Sequence, residues 1–297
     1  MKKEDLTIFE YRMEKDKNYT HLIKEERLTG SFEKIWYRTK SCGYLNADIY
    51  RPQNYNGDHT LSVVFNFHGG GMVLGQTELD GKYCQKIANE SNVAVINVDY
   101  ALAPEFKYPL PLTSSYELVE LVMKDYKKYN LNPDSLFLMG SSAGGYIATA
   151  LCIINDEQKQ FSISGLISNY AVLKQDKEPS EKISGNNNKV MKVSRMEQYN
   201  NWYFEDNTDK SHPLASPCNA DASIFPESLI ISAELDPLKE EDKEFANNLK
   251  LASIPVEYKE YANCNHGFTH DHGSVYNDTA ADDAWKRITN FIKRLTP

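Results

Sequence analysis

The sequence has no excess of positive charge, no long apolar run and no paired cysteines, and each absence removes a class of function. Its 33 basic residues are outnumbered by 42 acidic ones, for a net charge of −9. The basic face that a nucleic-acid binder needs is therefore missing. No stretch approaches the roughly 18 apolar residues of a membrane span. The first twenty residues are charged throughout and have no apolar centre, unlike a secretory signal. The five cysteines (Cys42, Cys84, Cys152, Cys218 and Cys264) are odd in number and contain no C-x-x-C pair. Neither a disulfide framework nor a zinc site is expected. The expectation is a reduced, cytoplasmic protein with no membrane or nucleic-acid partner, its oligomeric state left open. Internal repeats are absent, as are G-K-[ST] and a helix-opening G-x-G-x-x-G, so a nucleotide site is disfavoured.

What remains is an ordinary globular composition, 25% charged and 41% hydrophobic over 297 residues, enough for a sizeable core. Two alternating stretches, 32–39 and 44–50, read as strands around a Ser-Cys-Gly turn. "LSVVFNF" (61–67) is a continuous apolar run, as in a strand buried on both faces. Helix 81–91, strand 93–98, helix 113–130 with a Thr/Ser cap, strand 135–139, helix 143–154 and strand 162–168 follow. From Lys174 to about Asp221 the chain turns polar, and this stretch reads as a solvated insertion or a cap. The rhythm resumes with strand 228–233, helix 239–252, strand 255–261 and helix 278–295. Alternating strands and helices predict an α/β fold, a mostly parallel sheet covered on both faces with a mixed edge. Ligands of such sheets bind at the carboxyl ends of the strands.

One stretch joins a buried strand to a helix through two hydroxyls and three glycines: "LFLMGSSAGGYIATA" (136–150). Gly140-Ser141-Ser142-Ala143-Gly144 fits G-x-S-x-G, which carries meaning at this kind of strand-to-helix turn. Ser142 stands at the apex and is the candidate nucleophile; Ser141 does not. A serine hydroxyl needs a base to take its proton, and on this architecture the order is Ser, then Asp or Glu, then His. The later histidines are His212, His266, His270 and His272. His266 follows the strand ending near Tyr261 and precedes a glycine, which places it at the carboxyl edge. His270 and His272 are close competitors for the base, but a lone histidine in a polar loop is more often merely solvated. Asp236, just past strand 228–233, is the candidate acid. It also suits a helix cap, and Glu234 is the alternative acid. His68-Gly69-Gly70-Gly71 follows a buried strand, and its glycines let backbone approach a substrate. The N–H groups of Gly70, Gly71 and Ala143 are the candidate oxyanion donors, with His68 a structural anchor.

These motifs, with "DYALAPEFKYP" (99–109), "HPLASP" (212–217), "ELDPL" (234–238) and "HGF" (266–268), resemble the hormone-sensitive-lipase-like group of α/β-hydrolases. They occur in that family's order from about Phe65 to Phe268. The resemblance implies one α/β-hydrolase domain over 1–297, capped by helical segments at about 1–30 and 174–211. It implies a hydrolase of small carboxylic esters with neither metal nor organic cofactor. Three positions depart from the pattern. Ser141 stands where the family usually has an acidic residue, Ala101 where an arginine is frequent, and Ser114 where an aspartate is common. The resemblance, together with a polar, aromatic cap stretch (196–204) that would wall a small pocket, implies a preference for short acyl chains. Two other readings share the scaffold. An amidase, deacetylase or formamidase would use the same triad, and a binding protein would lack a member of it.

Overall fold

The structure is a computed structural model that describes residues 6–25, 32–75, 77–182, 190–271 and 275–297. His272 and the "SGNNNK" run lie outside the described residues, as do parts of both expected cap segments. Among the described residues, eight strands form one sheet: β1 (Phe32–Thr39), β2 (Gly43–Tyr50), β3 (Leu61–Phe67), β4 (Ala94–Asp99), β5 (Leu131–Ser141), β6 (Gly165–Asn169), β7 (Ser228–Ala233) and β8 (Val256–Tyr261). Their order is β1-β2-β4-β3-β5-β6-β7-β8. The β1–β2 and β2–β4 pairs are antiparallel and the rest parallel, the mixed edge expected from the sequence.

Burial explains the strand composition. Every residue of β3 and of β7 is buried, because helices cover both faces. The helices are α1 (Ile8–Glu25), α2 (Thr77–Ser91), α3 (Leu110–Lys124), α4 (Ala143–Gln158), α5 (Val193–Tyr203), α6 (Lys239–Leu251) and α7 (Asp278–Leu295). One apolar cluster includes Phe65, Leu138 and Ile147, and a second gathers Val64, Phe137 and Trp285. Both are anchored on β3 and β5, which hold the site between them.

Some boundaries differ from the sequence expectation. Helix α3 starts at Leu110, not at Thr113, with Pro109 at the cap and Pro111 in the first turn; proline's fixed φ suits that place. It closes at Asp125, whose N–H donates to Leu121 and Val122, and residues 126–129 form a separate short turn. Strand β5 begins at Leu131, earlier than expected. Helix α1 carries too little apolar periodicity to be read as a helix, yet a reciprocal cap opens it. Glu10 N–H donates to Thr7 Oγ1 at 3.3 Å, and Thr7 N–H donates to Glu10 Oε2 at 2.9 Å. That is the T-x-x-E capping box.

Candidate active site

Strand β5 ends in a tight turn whose apex is Ser142, with φ 56° and ψ −117°. A side-chain-bearing residue rarely adopts a positive φ, and the strain persists only where surroundings enforce it. Here the Ser142 N–H donates to Asn169 O at 2.9 Å, and the Ser142 carbonyl accepts from Tyr146 N–H. The flanking glycines are required by space. A Cβ on Gly144 would sit 1.9 Å from Phe67 O, and one on Gly140 2.2 Å from the Gly144 backbone.

The turn aims Ser142 Oγ at His266 Nε2, 2.8 Å away. On the other side of the ring, Nδ1 lies 2.7 Å from Asp236 Oδ2. The carboxylate fixes the proton on Nδ1 and leaves Nε2 free to accept. Asp236 is fully buried, and its second oxygen accepts from Leu238 N–H at 3.0 Å. One oxygen thus meets the imidazole while the other holds the turn before α6, whose N-cap is Leu238 rather than Asp236. The alternative acid, Glu234, instead accepts from Asn263 N–H at 2.7 Å. Ser141 accepts from Asn169 Nδ2 and His212 from Leu214 N–H.

His68 is buried, stacked 4.3 Å from the Tyr100 ring, and its carbonyl accepts from Tyr100 OH. These contacts fit an anchor for the glycine loop. Gly70 and Gly71 take φ of +128° and +64°. Among the described residues, the N–H groups of Gly70, Gly71 and Ala143 have no acceptor. Gly70 and Gly71 line a cavity of about 220 Å³ together with Ser142 and His266. Gly71 and Ala143 line an adjoining space of about 40 Å³ walled by Tyr146, Met196 and Leu238. No cluster of His, Cys, Asp and Glu suited to a metal occurs among the described residues.

His270 is not solvated, contrary to expectation. It is 5% exposed, its Nε2 lies 3.4 Å from Asp80 Oδ1, and its Nδ1 meets Tyr170 OH at 3.0 Å. Burial pushes the Asp80 carboxyl up, but His270, His68 and Asn66 outweigh it and hold the group below its ordinary range. Tyr170 packs edge-on to His266, centroids 5.1 Å apart. Asp80, Tyr170 and His270 line the larger cavity. Sequence reasoning missed them because no local pattern links positions 80, 170 and 270. It also missed Tyr11, whose hydroxyl lies 2.6 Å from that of Tyr199, a residue of the 196–204 stretch, where α1 crosses α5. Of the departures, Ala101 is buried in the core and Ser114 is fully buried with Oγ near Pro111 O.

No described helix is long and apolar enough to cross a membrane. The sequence pattern of the α/β hydrolase fold matches residues 64–270. A protein of Acanthamoeba polyphaga mimivirus named as an α/β hydrolase is 30% identical over 259 residues, 85% of this chain and 73% of its own. The versiconal hemiacetal acetate esterase of Dothistroma septosporum is 26% identical, over 76% of this chain and 72% of its own. Among solved structures, a hyperthermophilic esterase from the archaeon Pyrobaculum calidifontis superposes with a TM-score of 0.87 at 28% identity, covering 98% of this chain and 94% of that one. The chain belongs to the α/β-hydrolase family, within its hormone-sensitive-lipase-like carboxylesterase group.

Proposed function

We propose that the protein is a serine carboxylesterase that cleaves short-chain esters through an acyl-enzyme. The observation that carries this is the unbroken relay from Ser142 Oγ through His266 to Asp236. Ser142 attacks the ester carbonyl while His266 Nε2 takes its proton. Asp236 holds the ring and stabilises the imidazolium. The oxyanion of the tetrahedral intermediate receives the N–H groups of Gly70, Gly71 and Ala143, which a ground-state protein contact does not occupy. On collapse, His266 returns the proton to the leaving alcohol, and the acyl group stays on Ser142. Water then attacks with His266 again as base, and the acid departs.

The two adjoining spaces suit two halves of an ester. The smaller, about 40 Å³, holds the volume of about three waters and fits an acetyl-sized acyl group. Its apolar walls include Met72, Val172, Met196 and Leu238, and Gln175, Lys182 and Asn200 add polar groups. The fungal relative is named for an acetate, in keeping with this. The larger space receives the leaving alcohol. In this reading one α/β-hydrolase domain spans 1–297, with cap segments at about 1–30 and 174–211 to which α1 and α5 belong.

The test is a series of aryl esters of increasing acyl length, run beside matched anilides. Acetate or propionate esters should give the highest kcat/KM, with octanoate far lower and anilides slowest. Best turnover of long chains would contradict the short acyl pocket. Faster anilide cleavage would make the protein an amidase.

A further inference from the structure

The larger cavity carries a cation that the hydrolytic relay does not use. Arg195, on α5, lines it and is half-buried. Its Nη1 donates to Gln198 Oε1 at 2.6 Å, and its guanidinium carbon stands 4.1 Å from the Tyr11 ring centroid. These contacts fix the group without neutralising it. Among the described residues, Arg195 has no carboxylate partner. Arg12, Arg51 and Arg294 each have one, and Arg287 has two. Arg38 also lacks one, but it lies exposed on strand β1, away from any cavity. Lys15 lines the same space, with its ammonium 5.7 Å from the Tyr11 ring centroid. The carboxylate in this cavity, Asp80, already meets His270 and Asn66.

A guanidinium with unused donors in a half-buried site gains most from an oxyanion. The Arg195 guanidinium, with no carboxylate partner among the described residues, stands where the alcohol must sit and favours an alcohol of opposite sign. We infer that the leaving alcohol of the preferred ester bears an anionic group, a carboxylate or a phosphate, bound by Arg195. This rests on the esterase reading and names its substrate class: acyl esters of hydroxy acids or of phosphorylated alcohols.

Three acetates of like shape test it: 4-acetoxybenzoate, 4-acetoxyphenyl phosphate and neutral 4-acetoxyacetophenone. Each kcat/KM is divided by that ester's own hydroxide rate, which removes differences in leaving-group chemistry. At low salt, at least one anionic ester should exceed the neutral one by on the order of tenfold. Added salt should shrink the advantage. The favoured arm tells a carboxylate from a phosphate. Arg195→Gln should bring the ratio to about one, mainly through KM for the anionic ester. Arg195→Lys, which keeps the charge, should retain part of it. A ratio at or below one with the neutral ester turned over would overturn the inference and leave the esterase reading intact. A ratio unchanged in Arg195→Gln would overturn it equally. Turnover of none of the three would overturn the esterase reading, and the inference with it.

Discussion

Asp236 does two jobs at once. Its Oδ2 faces His266 and its Oδ1 accepts from Leu238 N–H, so replacing it tests both. An asparagine keeps the size but can present an amide N–H to the imidazole and stabilise the wrong tautomer. Asp236→Asn should therefore lose up to about four orders of magnitude in kcat while circular dichroism stays native. Glu234→Gln should cost little, because Glu234 caps the Asn263 turn and does not reach the ring. Steady-state kinetics on both variants gives the comparison. A larger loss in Glu234→Gln would transfer the acid role to Glu234. At this scale most of the candidate site was legible in the sequence. G-x-S-x-G, the residue order Ser-Asp-His and the glycine loop are local patterns. Asp80, Tyr170 and His270 are not, since only the folded sheet brings their loops to one cavity wall.

Among the elements, the cap is where local signals and tertiary contacts part company. Helix α1 shows little amphipathic pattern, although Thr7-Ile8-Phe9-Glu10 announces its first turn through the capping box. What places it is Arg12. Its guanidinium meets both oxygens of Glu105 at 2.6 and 2.8 Å and donates to the carbonyls of Val73 and Ala103 at 2.8 Å. Val73 follows the glycine loop, and its N–H donates back to Gly70 O. Arg12 therefore ties the cap to the loop that bears the oxyanion donors. Arg12→Met removes those bonds but keeps an apolar stem. It should lower kcat/KM on an aryl acetate by about ten- to a hundredfold, the range that small misplacements of a reacting group produce. Cleavage within α1 by a limiting protease should also quicken. Unaltered kinetics and unaltered proteolysis would mean that α1 does not position the loop. The buried core strands were read correctly because continuous apolar runs have one explanation in an α/β fold. Helix ends were not, because Pro109 and Asp125 set the limits of α3 through backbone geometry rather than hydrophobic period.

For the molecule as a whole, one buried acid sets a pH dependence of stability. Burial, then the nearby Asp236 charge and Glu241, push the Asp242 carboxyl well above its ordinary range, while its Oδ1 accepts from Ala171 N–H at 3.1 Å. A folded-state value above the unfolded one favours the protonated form on folding. The associated stability is fully present below the unfolded value of about 3.9 and is lost as pH rises through the folded one. Asp242→Asn resembles the protonated acid and should escape that loss. Its Tm relative to the native chain should climb as pH rises from about 4 to 8, with little difference at the acid end. A Tm difference that stays flat across that range would mean that Asp242 does not ionise with the fold.

The catalytic claim converges on one hydroxyl, Ser142 Oγ, held 2.8 Å from His266 Nε2. Its most direct test is to quench the protein early in its reaction with 4-nitrophenyl acetate, weigh it intact and sequence the peptide that gains mass. The expected result is a burst of nitrophenol with one acetyl group per chain, carried on Ser142. Ser142→Ala should give neither, and Ser141→Ala should give both. An acetyl group on Ser141, or turnover with no acyl-protein and full activity in Ser142→Ala, would contradict it.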